Sequence, residues 1–148
     1  MKEIAAQIWN NHILMTALIS WLVAQTLKVT IGVIKERKFD FRWFIGTGGM
    51  PSSHTAGAAA LATAIGLECG FQSVLFALAA TFTIVVMFDA QGVRRATGKQ
   101  AQILNKVMED IYWKGKIKED RLWELVGHTR VEVFVGMFLG ILIAFLRQ

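Results

Sequence analysis

The sequence predicts an all-α integral membrane bundle: about four transmembrane helices, a short N-terminal interfacial helix and amphipathic helices within the loops. Three observations predict it. Hydrophobic residues make up 54% of the 148 and mean hydropathy is +0.45, above the roughly 45–50% apolar content of soluble domains. The apolar residues are gathered into four segments. Thirteen of the sixteen Lys and Arg residues fall in two polar connections between those segments.

The elements follow in order. Ile4 to Trp9 is too short to cross a bilayer and reads as an interfacial helix with Trp9 at headgroup depth. The opening MKEIAAQIWNNH carries acid and amide groups and no small-residue cleavage site. The first long apolar stretch is therefore expected to stay as a membrane helix. That stretch, Ile13 to Ile34, is long enough for a ~30 Å hydrocarbon core at ~1.5 Å per residue. Gln25 and Lys28 interrupt it. The second segment, Ala56 to Leu67, is short and small-residued, which suits close helix packing. A tight turn around Glu68 to Gln72 follows, with Gly70 as the breaker. The third segment, Val74 to Phe88, is apolar throughout. The fourth, Val131 to Leu146, has Glu132 near its start, and Gly136 and Gly140 form a small-xxx-small pair on one face. Polar flanks are expected to lengthen the shorter helices.

The chain has room for one membrane-embedded domain, residues 1–148, and no separate soluble module. Lone Cys69 makes no intramolecular disulfide and reads as a small apolar group in a packed helix.

Two segments separate the polar connections Lys35–His54 and Asp89–Arg130, so both are expected on one side of the bilayer. Within the second, Ile103, Leu104, Val107 and Ile111 recur at helical spacing and predict an amphipathic helix in AQILNKVMEDIYW. Leu122, Leu125 and Val126 predict another turn or two before Gly127. The net charge of +5 would suggest nucleic acid in a soluble protein. Here the bases lie between apolar segments, which favours anionic lipid or a phosphorylated substrate and argues against nucleic acid.

The chemistry sits in those connections. In GTGGMPSSHTAG, Gly46, Gly48 and Gly49 let the backbone approach a ligand closely, and Pro51 fixes the turn. Ser52 or Ser53 caps the helix that follows, whose N-terminus offers unpaired N–H groups and a positive dipole end. That is a recipe for an anion site, and His54 stands beside it, able to exchange a proton near neutral pH. The second connection opens with DAQGVRRATGKQ, in which Arg94 or Arg95 can grip two phosphate oxygens at once and Asp89 can orient an arginine. It ends in GHTRVEV. If the fourth helix begins near Gly127, His128 and Glu132 share one face, and the carboxylate fixes the imidazole tautomer. Lys28, three residues after Gln25, either snorkels toward the first connection or reaches a phosphate held between the two. Arg37 is a further possible phosphate ligand; Lys38 and Arg42 read as surface bases.

Together these residues resemble the type 2 phosphatidic acid phosphatase superfamily, and specifically its divergent branch, related to acid phosphatases and vanadium-dependent haloperoxidases. The superfamily pattern runs Lys-x6-Arg-Pro, then Pro-Ser-Gly-His, then Ser-Arg-x5-His-x3-Asp. GGMPSSHTAG matches the second part at Pro51, Ser52 and His54, with Ser53 in place of glycine. Arg94 or Arg95 stands for the third part's arginine, and His128 and Glu132 keep its His-x3-Asp spacing with Glu for Asp. The stretches GGMPSSH, FDAQGVRRATGKQA and GHTRVEV look close to the divergent branch itself. Departures are visible. Lys35 and Arg42 satisfy Lys-x6-Arg, but Trp43 follows where proline stands, which leaves Lys28 as a competing lysine. Between Arg95 and His128 lie 32 residues where the superfamily has five.

The resemblance implies metal-free, cofactor-free hydrolysis of a lipid phosphate. His128 would attack phosphorus, Glu132 would hold its ring, and His54 would protonate the leaving alkoxide. Lys28, Arg94 or Arg95, Ser52, Ser53 and the Gly48 and Gly49 amides would neutralise the phosphoryl oxygens. The residues by themselves support an anion site with two histidines and leave hydrolysis open. The alternatives are a non-catalytic lipid-phosphate binder or transporter, and a structural subunit docking a partner through its basic loop. By the positive-inside rule both connections face the cytoplasm. Phosphatidate, phosphatidylglycerol phosphate and polyprenyl phosphates or diphosphates all remain open as substrates, and the small-residue helix faces are compatible with a homodimer.

Overall fold

A computed structural model of the chain describes residues 1–37, 49–112 and 127–148, with backbone alone at 93–97 and 109–112. Among the described residues there are six helices and no strand: α1 (Lys2–Trp9), α2 (His12–Glu36), α3 (Ser53–Cys69), α4 (Val74–Gln91), α5 (Val93–Tyr112) and α6 (Arg130–Leu146).

Short polar side chains set where the long helices start. Asn11 accepts from the Leu14 amide at 3.0 Å, Ser73 from Phe76 at 3.2 Å, and Ser52 from Thr55 at 3.5 Å. Each satisfies an amide that the first turn cannot pair internally. Gly70 ends α3 with φ +88°, the left-handed region that glycine enters without a Cβ clash. The helices extend a few residues beyond the apolar segments, as the polar flanks predict.

α3 is the centre of the bundle. It packs against α2, α4 and α6, and its residues Ala56, Ala58, Ala59, Ala60 and Ala62 are all buried. Small side chains let the backbones approach, and hydroxyls then bridge them. Ser20 of α2 donates to the Ala56 carbonyl at 3.0 Å and Thr83 of α4 to the Ala58 carbonyl at 2.9 Å. α6 comes closest of all. A Cβ built on Gly136 would overlap the Ser52 carbonyl oxygen, and one on Gly140 that of Ala56. The small-xxx-small pair is therefore the α3–α6 contact.

The large side chains point the other way. Leu18, Leu78 and Phe138 are half or more exposed, as are most Leu, Ile and Phe residues on the outer faces of α2, α4 and α6. A soluble protein rarely leaves contiguous apolar area of this extent in water. α2 and α4 are long and apolar enough to cross a membrane. Cys69, expected in a packed helix, is exposed at the end of α3.

The second polar connection differs from expectation at its start. The segment after Gly92 is already helical, so α5 takes in Arg94 and Arg95 as well as the expected amphipathic stretch. Arg, Ala, Lys and Gln dominate it and are strong helix formers, which outweighs single Gly98. The predicted turn at Leu122, Leu125 and Val126, together with Lys38, Arg42, Trp43, Gly46 and Gly48, lies outside the described residues.

If the α3–α6 approach sets the bundle, Gly140→Val should destabilise it by about 1–3 kcal/mol through backbone overlap. A fall in thermal midpoint in detergent measures this, with outward-facing Leu142→Ala nearly silent. Equal midpoints for the two variants would refute the contact.

Candidate active site at one end of the bundle

The end of α4 and the starts of α3 and α6 are joined by backbone bonds. The Ser52 amide donates to the Glu132 carbonyl at 3.0 Å, and the His128 amide donates to the Ala90 carbonyl at 3.1 Å. α2 joins them through Lys28, whose Cγ lies 3.2 Å from the point where a Cβ on Gly49 would stand. The described ends of the two polar connections thus meet at one end of the bundle, as the count of intervening segments predicts.

The first turn of α6 carries the tightest arrangement. Thr129 caps the helix: its hydroxyl accepts from the Glu132 amide at 3.3 Å, and the Glu132 Oε2 accepts from the Thr129 amide at 2.9 Å. The same Oε2 lies 3.2 Å from His128 Nδ1. The expected His128–Glu132 pair is therefore present, but by a different route. α6 starts at Arg130 rather than near Gly127, so His128 precedes the helix. The carboxylate reaches back over the cap to meet it. Thr-x-x-Glu before an apolar run is a capping-box signature, and reading TRVE that way would have placed the start correctly. Thr129, absent from the sequence expectation, is the residue that sets this start. His128 is 2% exposed, so its ring is enclosed at this end of the bundle.

The turn before α3 sits against this. Gly49 has φ +84° and the Met50–Pro51 bond is cis. A side chain at 49 would be strained and would press on the Lys28 stem. Ser52 is the cap, with its Oγ also accepting from the Thr55 hydroxyl at 3.1 Å. Ser52 and Ser53 are both buried, so the Ser52 oxygen serves the fold first. His54, the second residue of α3, is exposed and engaged by a neighbouring group. The positive dipole ends of α3 and α6 meet here, where first-turn amides point out of the helix. Lys28 is 9% exposed and Gln25, one turn earlier, 3%; both are engaged by neighbours. The Lys28 stem thus runs past Gly49 at the end of the first connection, the direction that snorkelling predicts.

Asp89 is exposed at the end of α4, next to the Ala90 that holds His128. Arg94 and Arg95 lie in the first turn of α5, after Gly92. Arg37 is not brought to Lys28: it ends α2 in the left-handed conformation, φ 52°, about 13 Å further along the helix axis. Gly48 lies outside the described residues. A cleft of about 420 Å³ opens at the other end of the bundle, among His12, Thr16, Leu67, Glu68 and Arg147, and includes none of the predicted site residues.

The N-termini of α3 and α6, the buried Lys28 stem and an imidazole held at Nδ1 therefore share one end of the bundle. The chain is 42% identical to the uncharacterized membrane protein YuiD of Bacillus subtilis (strain 168), over 93% of this chain and 94% of that protein. No solved structure matches it. The family described as Divergent PAP2 matches residues 9–143, a span that runs from Trp9 through every residue of the described site, and the chain belongs to that family.

Proposed function

We propose that this protein is a membrane lipid phosphatase working through a phosphohistidine. The observation that carries the reading is the 3.2 Å contact between His128 Nδ1 and Glu132 Oε2, at the end of the bundle where Lys28, Gly49 and Ser52 also lie. A carboxylate on Nδ1 fixes the tautomer and makes Nε2 the nucleophilic nitrogen.

In the proposed reaction His128 Nε2 attacks the terminal phosphorus as its bond to the leaving oxygen breaks, the ester oxygen of a monoester or the bridging oxygen of a diphosphate. His54 gives that oxygen its proton. Water then attacks the phosphohistidine, releasing phosphate and restoring the imidazole. Lys28, the Gly49 and Ser53 amides and Arg94 or Arg95 offset charge on the phosphoryl oxygens, with Asp89 orienting an arginine. The substrate is a phosphomonoester or diphosphate of a lipid, of the phosphatidate, phosphatidylglycerol phosphate or polyprenyl phosphate type. The site lies at helix ends, where a headgroup would be presented.

The same reading has α3 and α6 crossing the membrane beside α2 and α4. Each has 17 residues, at the lower bound of ~17 for a span, and each turns large side chains outward or packs tightly within. The distribution of Lys and Arg favours a cytoplasmic site. The enclosure of His128 at 2% exposure favours a second reading, a lipid-phosphate binder on the same scaffold without turnover.

Phosphate release from a panel of lipid phosphates with EDTA present separates the two. His128→Ala should abolish release, and Glu132→Gln should lower kcat about 10²-fold or more by losing the fixed tautomer. Binding without release by the unaltered protein would select the binder and overturn the phosphatase. Lys28→Met should weaken substrate binding about 10–100-fold, the worth of a charge-assisted bond of ~1.5–3 kcal/mol; unchanged KM and kcat would remove Lys28 from the site. For orientation, in a Cys69→Ser background, cysteine at Gln72 should label from outside intact cells and cysteine at Glu36 only after permeabilisation. The reverse pattern would put the site outside.

A further inference from the structure

α5 wears its apolar residues on the wrong side for a helix that simply packs on its own protein. The inward stripe is Gly98, Ala101, Asn105 and Met108, at helical spacing. Gly98 and Asn105 are buried, and Ala101 and Met108 half-buried. The large aliphatics stand elsewhere: Ile103 is 63% exposed, Leu104 51% and Val107 44%. Lys99 and Lys106, both exposed, are seven residues apart and each lies three or four from Ile103, so they line one flank of that ridge. Apolar ridge and basic flank are the two halves of an interfacial amphipathic helix.

Position agrees with pattern. α5 begins one residue after α4, a helix long and apolar enough to cross. The outer face of α4 is apolar to its last turn, with Val85 58% and Phe88 73% exposed. A second protein is a poorer fit, because a ridge of three side chains falls far short of the ~800 Å² per partner of a stable interface. Lysines beside the ridge complement anionic headgroups.

We propose that α5 lies in the plane of the membrane on the side of the candidate site. Ile103, Leu104 and Val107 enter the acyl boundary, and Lys99 and Lys106 meet the phosphates of anionic lipid. The inference rests on the membrane placement proposed above and not on hydrolysis. It gives the chain a surface that gathers anionic lipid beside the turn carrying Arg94 and Arg95.

The test uses the full chain with Cys69→Ser, in nanodiscs of phosphatidylcholine and phosphatidylglycerol containing a lipid with a spin-labelled acyl chain. An environment-sensitive fluorophore is placed on single cysteines at 103, 104, 107 and 102, and at 85 on α4 as the lipid-facing reference. Quenching at 103, 104 and 107 should exceed that at 102 about threefold or more. Lys99→Gln with Lys106→Gln should bring the ridge signal down to its level in phosphatidylcholine alone. Ridge positions no better quenched than 102, with 85 quenched, overturn the inference alone. Ridge positions shielded from both lipid and aqueous quenchers overturn it in favour of a second copy. An unquenched 85 overturns the membrane placement, and this inference with it.

Discussion

The close approach of α6 to α3 governs what the rest of the bundle can do. Two glycines one turn apart remove the side chains that would hold the backbones at the usual ~8–10 Å, and Ser52 and Ala56 carbonyls occupy the space. That proximity lets the Ser52 amide bond to the Glu132 carbonyl. Once that bond is made, the turn before α3 and the first turn of α6 are one unit. The geometry of the candidate site on either side of it is thus set by the glycine pair rather than by the site residues themselves.

Glu132 is where this constraint becomes chemical. Its carbonyl holds the α3 turn, and its carboxylate closes the α6 cap and meets His128. One residue therefore ties helix start, loop docking and imidazole orientation together. A carboxylate used only as a cap would belong in the first turn for reasons of dipole alone. Here the same oxygen serves two donors, so the cap energy also fixes the ring. The histidine gains orientation without needing its own helix, which explains how a residue outside α6 is still held.

Much of this was legible in the sequence. The four apolar segments map onto α2, α3, α4 and α6, the Gly136–Gly140 pair onto a helix contact, and Ser52 onto a cap. These are local or periodic signals, and they survive folding because lipid-scale hydrophobicity and small-residue packing have few competitors. The convergence of the two polar connections followed from counting segments. What was not legible depends on distances across the chain. Nothing in local pattern says that Lys28 would lie over Gly49 rather than beside Arg37. The helix start at Arg130 was legible through Thr129 and Glu132, but the His-x3-Glu spacing offered a competing explanation for the same glutamate.

The bundle also shows why apolar content alone is a poor guide to its interior. Its buried residues are mostly Ala, Gly, Ser and Thr, and its large aliphatics face outward. In water the hydrophobic effect would reverse that order at roughly 25 cal/mol per Å². In lipid there is no such gain from burying leucine, so close packing of small residues and interhelical hydroxyl bonds decide the fold. Ser20 and Thr83 bonding to successive regions of the α3 backbone belong to that economy. So does a candidate site built from backbone amides and short side chains at helix ends, because the same close approach that stabilises the bundle concentrates helix N-termini at one edge.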